Sequence, residues 1–176
     1  MRWRVALLAV AMAAVAACDD DPAAPTVSRS DVAGTYDMTV LTFDPAGASL
    51  QERSLLALLP ASDRPEFNVS PLGNTAQLVF RDAVTGFVTI ASATYRLRDF
   101  RIEVTFDNAT DAARILLPRR VNFSLDAARS TLQFSGEASV PLARLQQLVP
   151  EWADLPLADP VPGTLTVAFK KRGGSE

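Results

Sequence analysis

The sequence feature that most constrains the fold is a strict alternation of apolar and polar residues near the middle of the chain. Its apolar members are Phe100, Ile102, Val104 and Phe106, and the residues between them are Arg101, Glu103 and Thr105. A repeat of two residues is typical of a β-strand with one buried and one solvated face, because successive side chains of a strand point to opposite sides. The run from Gly86 to Phe106 is therefore predicted to be β structure.

Similar patterns predict strands along most of the chain. The predicted strands cover residues 32–43, 67–69, 76–81, 87–98, 100–106, 121–125, 132–140 and 165–169. Residues 82–86 and 126–130 carry turn chemistry and are predicted to be hairpin turns. Because only Arg98 and Asp99 join two of the strands, that pair is expected to be antiparallel.

Three segments have helical features. Residues 141–149 begin with Pro and place Leu at helical spacing, which predicts a helix before the last strand. Residues 108–117 are predicted to contain a helical turn capped by Asn108 or Thr110. Residues 50–59 follow a capping-box spacing and favour a short helix, although a strand or a packed loop is also compatible with the pattern.

The fold class follows from the single apolar face of nearly every predicted strand. Such a sheet must close on itself or pack on a second sheet to hide that face and its edges. The opening Gly34-Thr-Tyr36 strand, the meander and the late helix resemble lipocalin-like bacterial lipoproteins, whose domains are up-and-down barrels. We predict an all-β fold in which an antiparallel meander of about seven or eight strands closes as a lipocalin-like barrel over residues 32–172, with one or two short helices. A β-sandwich is the alternative, and residues 173–176 are predicted to be a polar tail.

The first residues have the layout of a secretory signal. A short basic start precedes an apolar run over residues 5–17, which is shorter than the about 20 residues needed to span a bilayer. Val15-Ala-Ala-Cys18 resembles the lipobox of bacterial lipoproteins, in which the signal is removed before the Cys and lipid is attached to it. The alternatives are an ordinary secretory signal and a buried N-terminal helix.

The lipobox resemblance implies a domain organisation and a location. Residues 1–17 would be the signal peptide, Cys18 the lipidated residue, and residues 18–31 a flexible tether. The mature protein would be anchored in a membrane of the bacterial cell envelope and would face the periplasm.

Composition argues against catalysis. The chain has no His, which is the commonest general base and metal ligand, and its only Cys is Cys18. A serine–lysine dyad would have to use Lys170 or Lys171, the only lysines. We therefore predict that the protein is not an enzyme and has no cofactor or metal. The net charge of −3, with both signs spread evenly, gives no indication of a nucleic-acid partner.

The apolar side chains predicted to face inward are the best candidate site, because a small barrel either holds one small ligand or is filled by its own side chains. The candidate ligand-lining residues are Tyr36, Met38, Phe80, Tyr95, Phe100, Ile102, Phe106, Phe123, Phe134 and Trp152. Leu78, Ile90, Leu125, Val167 and Phe169 are also predicted to face inward. The nine Phe residues favour a packed interior over a hollow one.

Two functions follow from this pattern. The first is a membrane-anchored structural or interaction module that binds an envelope protein, and the second is a lipocalin-like carrier of a small apolar molecule. A separate cluster of Arg96, Arg98 and Arg101, with Arg119 and Arg120 further on, is either a solvated edge or a patch for an anionic headgroup or an acidic partner.

Overall fold

Strands dominate the computed structural model, which describes residues 27–47, 50–82 and 86–173. The strands of these residues are β1 (Gly34–Pro45), β2 (Arg53–Ser54), β3 (Glu66–Val69), β4 (Thr75–Arg81), β5 (Val88–Arg98), β6 (Arg101–Phe106), β7 (Arg120–Leu125), β8 (Thr131–Val140) and β9 (Val161–Lys171). The helices are α1 (Arg29–Val32), α2 (Ala109–Ala113) and α3 (Leu142–Leu148), with 3-10 turns at Leu56–Leu58, Ala61–Asp63 and Pro150–Trp152. Each predicted strand is present, with its ends shifted by a few residues.

Eight of these strands form a closed antiparallel barrel. Their order is β1-β3-β4-β5-β6-β7-β8-β9, and β9 returns to pair with β1. The short strand β2 lies outside the ring of eight strands and pairs with Thr42 and Phe43 of β1. It uses the same edge of β1 as β3, which pairs with earlier residues of that strand. The predicted meander closing as a lipocalin-like barrel is therefore confirmed, and the β-sandwich alternative is wrong.

The seam between β1 and β9 brings two backbones very close together at Gly163. A Cβ at this position would lie 2.4 Å from the carbonyl oxygen of Asp44 and 2.6 Å from the ring of Phe43. Both distances are far below van der Waals contact, so the seam requires a residue without a side chain here.

A cluster of aromatic rings fills the barrel. The rings of Phe67 and Phe123 are 6.0 Å apart, and each also packs on Phe169, at 5.6 and 5.8 Å respectively. Because β3 and β7 are opposite each other in the ring of eight strands, the contact between Phe67 and Phe123 crosses the whole interior. The rings of the two walls meet, and the expected packed core is what the structure contains.

A β-bulge in β1 changes which residues face the core. The register with β9 shifts between Met38 and Val40, so that Thr39 is an extra residue. Val40 is only half-buried for this reason, whereas Leu41 and Phe43 are buried. The simple alternation that the sequence suggests through Val40 is therefore wrong beyond Met38.

Two residues predicted to face inward do not. Ile90 is 55% exposed, because Tyr95 on the same strand is buried and residues an odd number apart point to opposite faces. Phe100 is 40% exposed, because Arg98 pairs with Arg101 and leaves Phe100 in the two-residue turn between the strands. The prediction for both residues is wrong.

The barrel end that holds the β3–β4, β5–β6 and β7–β8 turns, here called the turn end, is covered by α1. Ser28 caps this helix by accepting a hydrogen bond from the backbone N–H of Asp31, and Val32 is fully buried. Val27 is only 9% exposed. The predicted tether at residues 18–31 is therefore wrong for its last residues, which belong to the folded domain. Residues 18–26 lie outside the described residues.

The opposite end, here called the helix end, carries α2, α3 and the 3-10 turns. Asn108 caps α2 by accepting a hydrogen bond from the N–H of Thr110 at 2.9 Å, and α3 begins directly after Pro141, as predicted. The predicted helix at residues 50–59 is not formed. Within this segment, the backbone N–H of Leu55 donates to the carbonyl oxygen of Leu41 in β1. The segment therefore forms β2 and a single 3-10 turn.

The ring cluster predicts a graded series of destabilising substitutions. Phe123→Ala should lower the free energy of unfolding by about 3–5 kcal/mol, because it opens a cavity in the centre of the core. Phe134→Ala should cost less, since Phe134 is only half-buried. Phe100→Ala is the matched control and should cost below about 0.5 kcal/mol, as exposed positions do. Urea unfolding measures all three, and equal losses for Phe123→Ala and Phe100→Ala would contradict the assigned faces.

Candidate functional site

The barrel interior is the site that the sequence favoured, and the structure buries most of the candidate ligand-lining residues there. The buried members, each at most 4% exposed, are Tyr36, Met38, Phe80, Tyr95, Ile102, Phe106, Phe123 and Trp152. Phe134 is half-buried and contacts the ring of Phe123 at 6.3 Å. Phe100 lies in a turn outside the interior, for the reason given above.

The helix end of the barrel leaves little room for a ligand beside Phe80. Drug-sized ligands occupy pockets of about 300–1,000 Å³. The cavity next to Phe80 at the helix end has a volume of about 20 Å³, and its walls include Leu41, Leu59, Ile115 and Leu148. That space is sufficient for about one water molecule. It also shows that α3, β4 and the loop after α2 meet at this end.

The turn end is closed by hydrogen bonds from two buried tyrosines. The hydroxyl of Tyr36 donates to the carbonyl oxygen of Val32 at 2.8 Å, and the hydroxyl of Tyr95 donates to the carbonyl oxygen of Ser70 at 2.9 Å. Burial raises the pKa of Tyr36 to about 12. These bonds attach α1 and the β3–β4 turn to the barrel wall.

Lys171 is part of the same closure. Its Nζ donates to the carbonyl oxygen of Asp31 at 3.0 Å and lies 5.9 Å from the centre of the Tyr36 ring. These contacts hold α1 over the barrel, which is a structural role for the lysine.

A charged cluster occupies the helix end. Asp82 is only 3% exposed, and one of its carboxylate oxygens lies 3.3 Å from Nη1 of Arg114. Arg144 on α3 donates through Nη2 to the carbonyl oxygen of Arg114, and its Nε has no hydrogen-bond partner among the described residues. Burial lowers the pKa of Arg144. The cluster attaches α3 to the loop after α2 and neutralises a buried carboxylate.

The arginines singled out in the sequence lie on the outer wall. Arg96 and Arg98 on β5 and Arg101 on β6 are exposed on the same hairpin, and Arg98 lies 3.7 Å from the carboxylate of Glu103. Arg120 is also exposed, at the start of β7. An exposed ion pair of this kind contributes little to stability, so the cluster is a solvated, net positive surface.

The feature that sequence reasoning missed is a gap between β7 and β8. These strands pair only through Ser124 with Gln133 and Leu125 with Leu132, although β8 continues to Val140. A cleft of about 330 Å³ lies beyond the last pair, between the end of β8 and the loop after α2. No sequence signal marks this gap, because a strand alternates in the same way whether or not a neighbour pairs with it.

The described part of the chain offers no arrangement of three or more His, Cys, Asp or Glu side chains that could hold a metal ion. The helices within it are too short or too polar to cross a bilayer. Cys18, the predicted lipidation site, lies outside the described residues.

No protein-family model matches the chain, and no curated protein matches it either.

Closure of the turn end predicts a pH dependence. The pKa of Tyr36 is about 12 in the folded chain and about 10 in the unfolded chain, so the folded state holds this proton more tightly. The contribution of Tyr36 to the free energy of unfolding should therefore be constant below about pH 10 and should fall between about pH 10 and 12. In Tyr36→Phe the fall should be smaller, with a remainder from Tyr95, whose pKa burial also raises. An unchanged fall in urea unfolding would contradict this assignment.

The filled interior predicts that an apolar probe will not bind. In a chain with Trp3→Phe, Trp152 is the only indole, and it is buried at the helix end. A fatty-acid probe titrated to about 100 μM should give no saturable change in Trp152 fluorescence, since a carrier should bind more tightly than about −5 kcal/mol. A saturable change would support the carrier function.

Proposed function

We propose that the protein is a membrane-anchored lipoprotein of the bacterial cell envelope whose barrel is a non-catalytic structural or interaction module. The observation that supports the module is the contact of the Phe67 and Phe123 rings across the interior at 6.0 Å. A barrel filled in this way has its outer wall, its rims and its gap left for partners.

The carrier function is the weaker candidate. A ligand could enter only if it displaced rings that pack on one another and opened an end that α1 or α3 covers. Burial of a Phe side chain is worth about 1.5–3 kcal/mol, so displacing two or three rings would consume much of the affinity of a small apolar ligand. No described feature of the interior compensates for that loss.

The proposed anchor agrees with the place where the folded domain begins. The chain enters the barrel at Val27, at the turn end, and the nine peptide steps from Cys18 to Val27 can extend over at most about 30 Å. A lipid on Cys18 would therefore keep the turn end close to the membrane surface. Partners on the same membrane or in the adjacent periplasm would be within reach of the barrel wall.

The anchor is tested by metabolic labelling with palmitate in cells that make the full chain. Cys18→Ala should abolish incorporation of the label, because Cys18 is the only thiol in the chain. Asp20→Ala, two residues further on, is the matched control and should still be labelled. Equal labelling of the Cys18→Ala variant and the unmodified chain would overturn the lipid anchor.

A further inference from the structure

Over its second half, β8 has a free edge on one side. Its other edge pairs with β9 as far as Val140, whereas β7 pairs with it only at Leu132 and Gln133. The side chains of the inner face show that the gap is open. Phe134 and Ala138 are partly exposed, although the inner-face residues of β6 and β7 are buried.

The hydrogen-bond register shows which backbone groups point into the gap. Lys171 donates through its backbone N–H to the carbonyl oxygen of Ser130 at 2.7 Å. In an antiparallel pair, the residues that bond to the same neighbour recur at every second position, so the even-numbered residues of β8 bond to β9. Ser135, Glu137 and Ser139 therefore direct their N–H and C=O groups into the gap, where no backbone group of the described residues pairs with them.

The far side of the gap, formed by β7, also carries unpaired backbone groups. Leu125 donates through its N–H to the carbonyl oxygen of Phe100, so the odd-numbered residues of β7 bond to β6. Arg120 and Asn122 consequently direct backbone groups towards β8 without pairing with it. Unpaired strand edges of this kind are templates for another extended segment.

Apolar surface lies beside these backbone groups. The cleft of about 330 Å³ is bounded on one side by Leu116, Leu117 and Pro118 and on the other by Ala138 and Val140. A segment that adds to β8 would direct every second side chain towards this surface.

We infer that the gap binds an extended segment of a partner protein, which adds to β8 along residues 135–139 and carries a basic residue opposite Glu137. Strand addition takes its affinity from main-chain hydrogen bonds and its specificity from alternate side chains. Glu137 supplies the charge preference, because its exposed carboxylate has no ion pair among the described residues. The small inner-face residue Ala138 leaves room beside it for an apolar side chain of the incoming strand, whereas the ring of Phe134 lies over Gly136.

A second copy of this chain fits the edge less well. Two β8 edges paired around a two-fold axis over residues 135–139 would place two Glu137 carboxylates directly opposite each other. Like charges at such a position are destabilising. The inference rests on the proposed function, since it specifies the partner of the interaction module.

The test uses the detergent-solubilised full-length protein and a fluorescein-labelled pentapeptide, Thr-Val-Lys-Val-Thr, with blocked ends. Paired antiparallel with β8, this peptide places its lysine opposite Glu137 and its two valines opposite residues 136 and 138. Fluorescence anisotropy should show saturable binding. Replacing the lysine by glutamate should weaken binding by about threefold, in line with a surface cross-strand charge pair.

Two N-methylated peptides are the matched controls. A methyl group on the amide nitrogen of the lysine removes a donor that faces β8, and binding should fall at least tenfold. A methyl group on the amide nitrogen of a valine lies on the edge of the peptide that faces away from β8, and binding should fall clearly less than with the methylated lysine. Equal binding by both methylated peptides would show apolar adsorption and would overturn strand addition.

A variant of the protein gives an independent measurement. Glu137→Pro removes an N–H that faces the gap while leaving the bonds to β9 in place, and proline is tolerated on strand edges. Peptide binding should be lost while the melting temperature stays within a few degrees. If this variant does not fold, the methylated peptides still decide the question on the unmodified protein.

Other outcomes would overturn the inference. The absence of saturable binding up to about 1 mM peptide would overturn it. A dimer that sedimentation detects and that the peptide dissociates would also overturn it, because the edge of β8 would then bind a second copy of the chain. The palmitate experiment is independent of these results. Failure of peptide binding with intact labelling would remove only this inference, and loss of labelling with intact peptide binding would remove only the anchor.

Discussion

The contact between Phe67 and Phe123 joins strands on opposite sides of the barrel, and the packing of the molecule depends on it. Rings 6.0 Å apart leave no space between the two walls at this level, and Phe169 completes the contact from a third strand. Pairs of rings at such distances add to the free energy of burial itself. A barrel of this size can be filled by its own side chains. Here the ring cluster occupies the space in which a carrier would hold its ligand.

Filling the interior moves the functional question to the boundary of the barrel. α1 closes the turn end through the bonds of Tyr36 and Lys171, and α3 closes the helix end beside Phe80. In the part of the wall that the structure describes, β7 and β8 separate beyond the pair of Ser124 with Gln133. Because unpaired backbone groups and partly exposed apolar side chains coincide there, the gap is the part of the described surface with the clearest recognition chemistry.

The two surfaces described here differ in what they can recognise. The arginines of the β5–β6 hairpin are exposed and solvated, so they offer charge but little geometry. The β7–β8 gap offers main-chain donors and acceptors at fixed spacing, an apolar cleft and one carboxylate. A site that combines shape, hydrogen bonds and charge discriminates between partners better than charge alone.

The sequence by itself determined the class of the fold and the position of its strands. The alternation of apolar and polar residues is a local property of each strand, so it is readable without knowledge of the neighbours. The helical turns at α2 and α3 could be predicted for the same reason, from a cap at Asn108 and a proline at 141. The lipid anchor at Cys18 remains a prediction from the sequence.

Only the tertiary structure decided the details that depend on pairing. The bulge at Thr39, the outward position of Ile90 and the turn position of Phe100 follow from the register between strands, which no single strand encodes. The N–H of Leu55 bonds to β1 instead of forming a helix at residues 50–59 because a distant carbonyl group is in reach. The gap beside β8 exists because β7 and β8 separate, and separation of two strands leaves no trace in the alternation of either one.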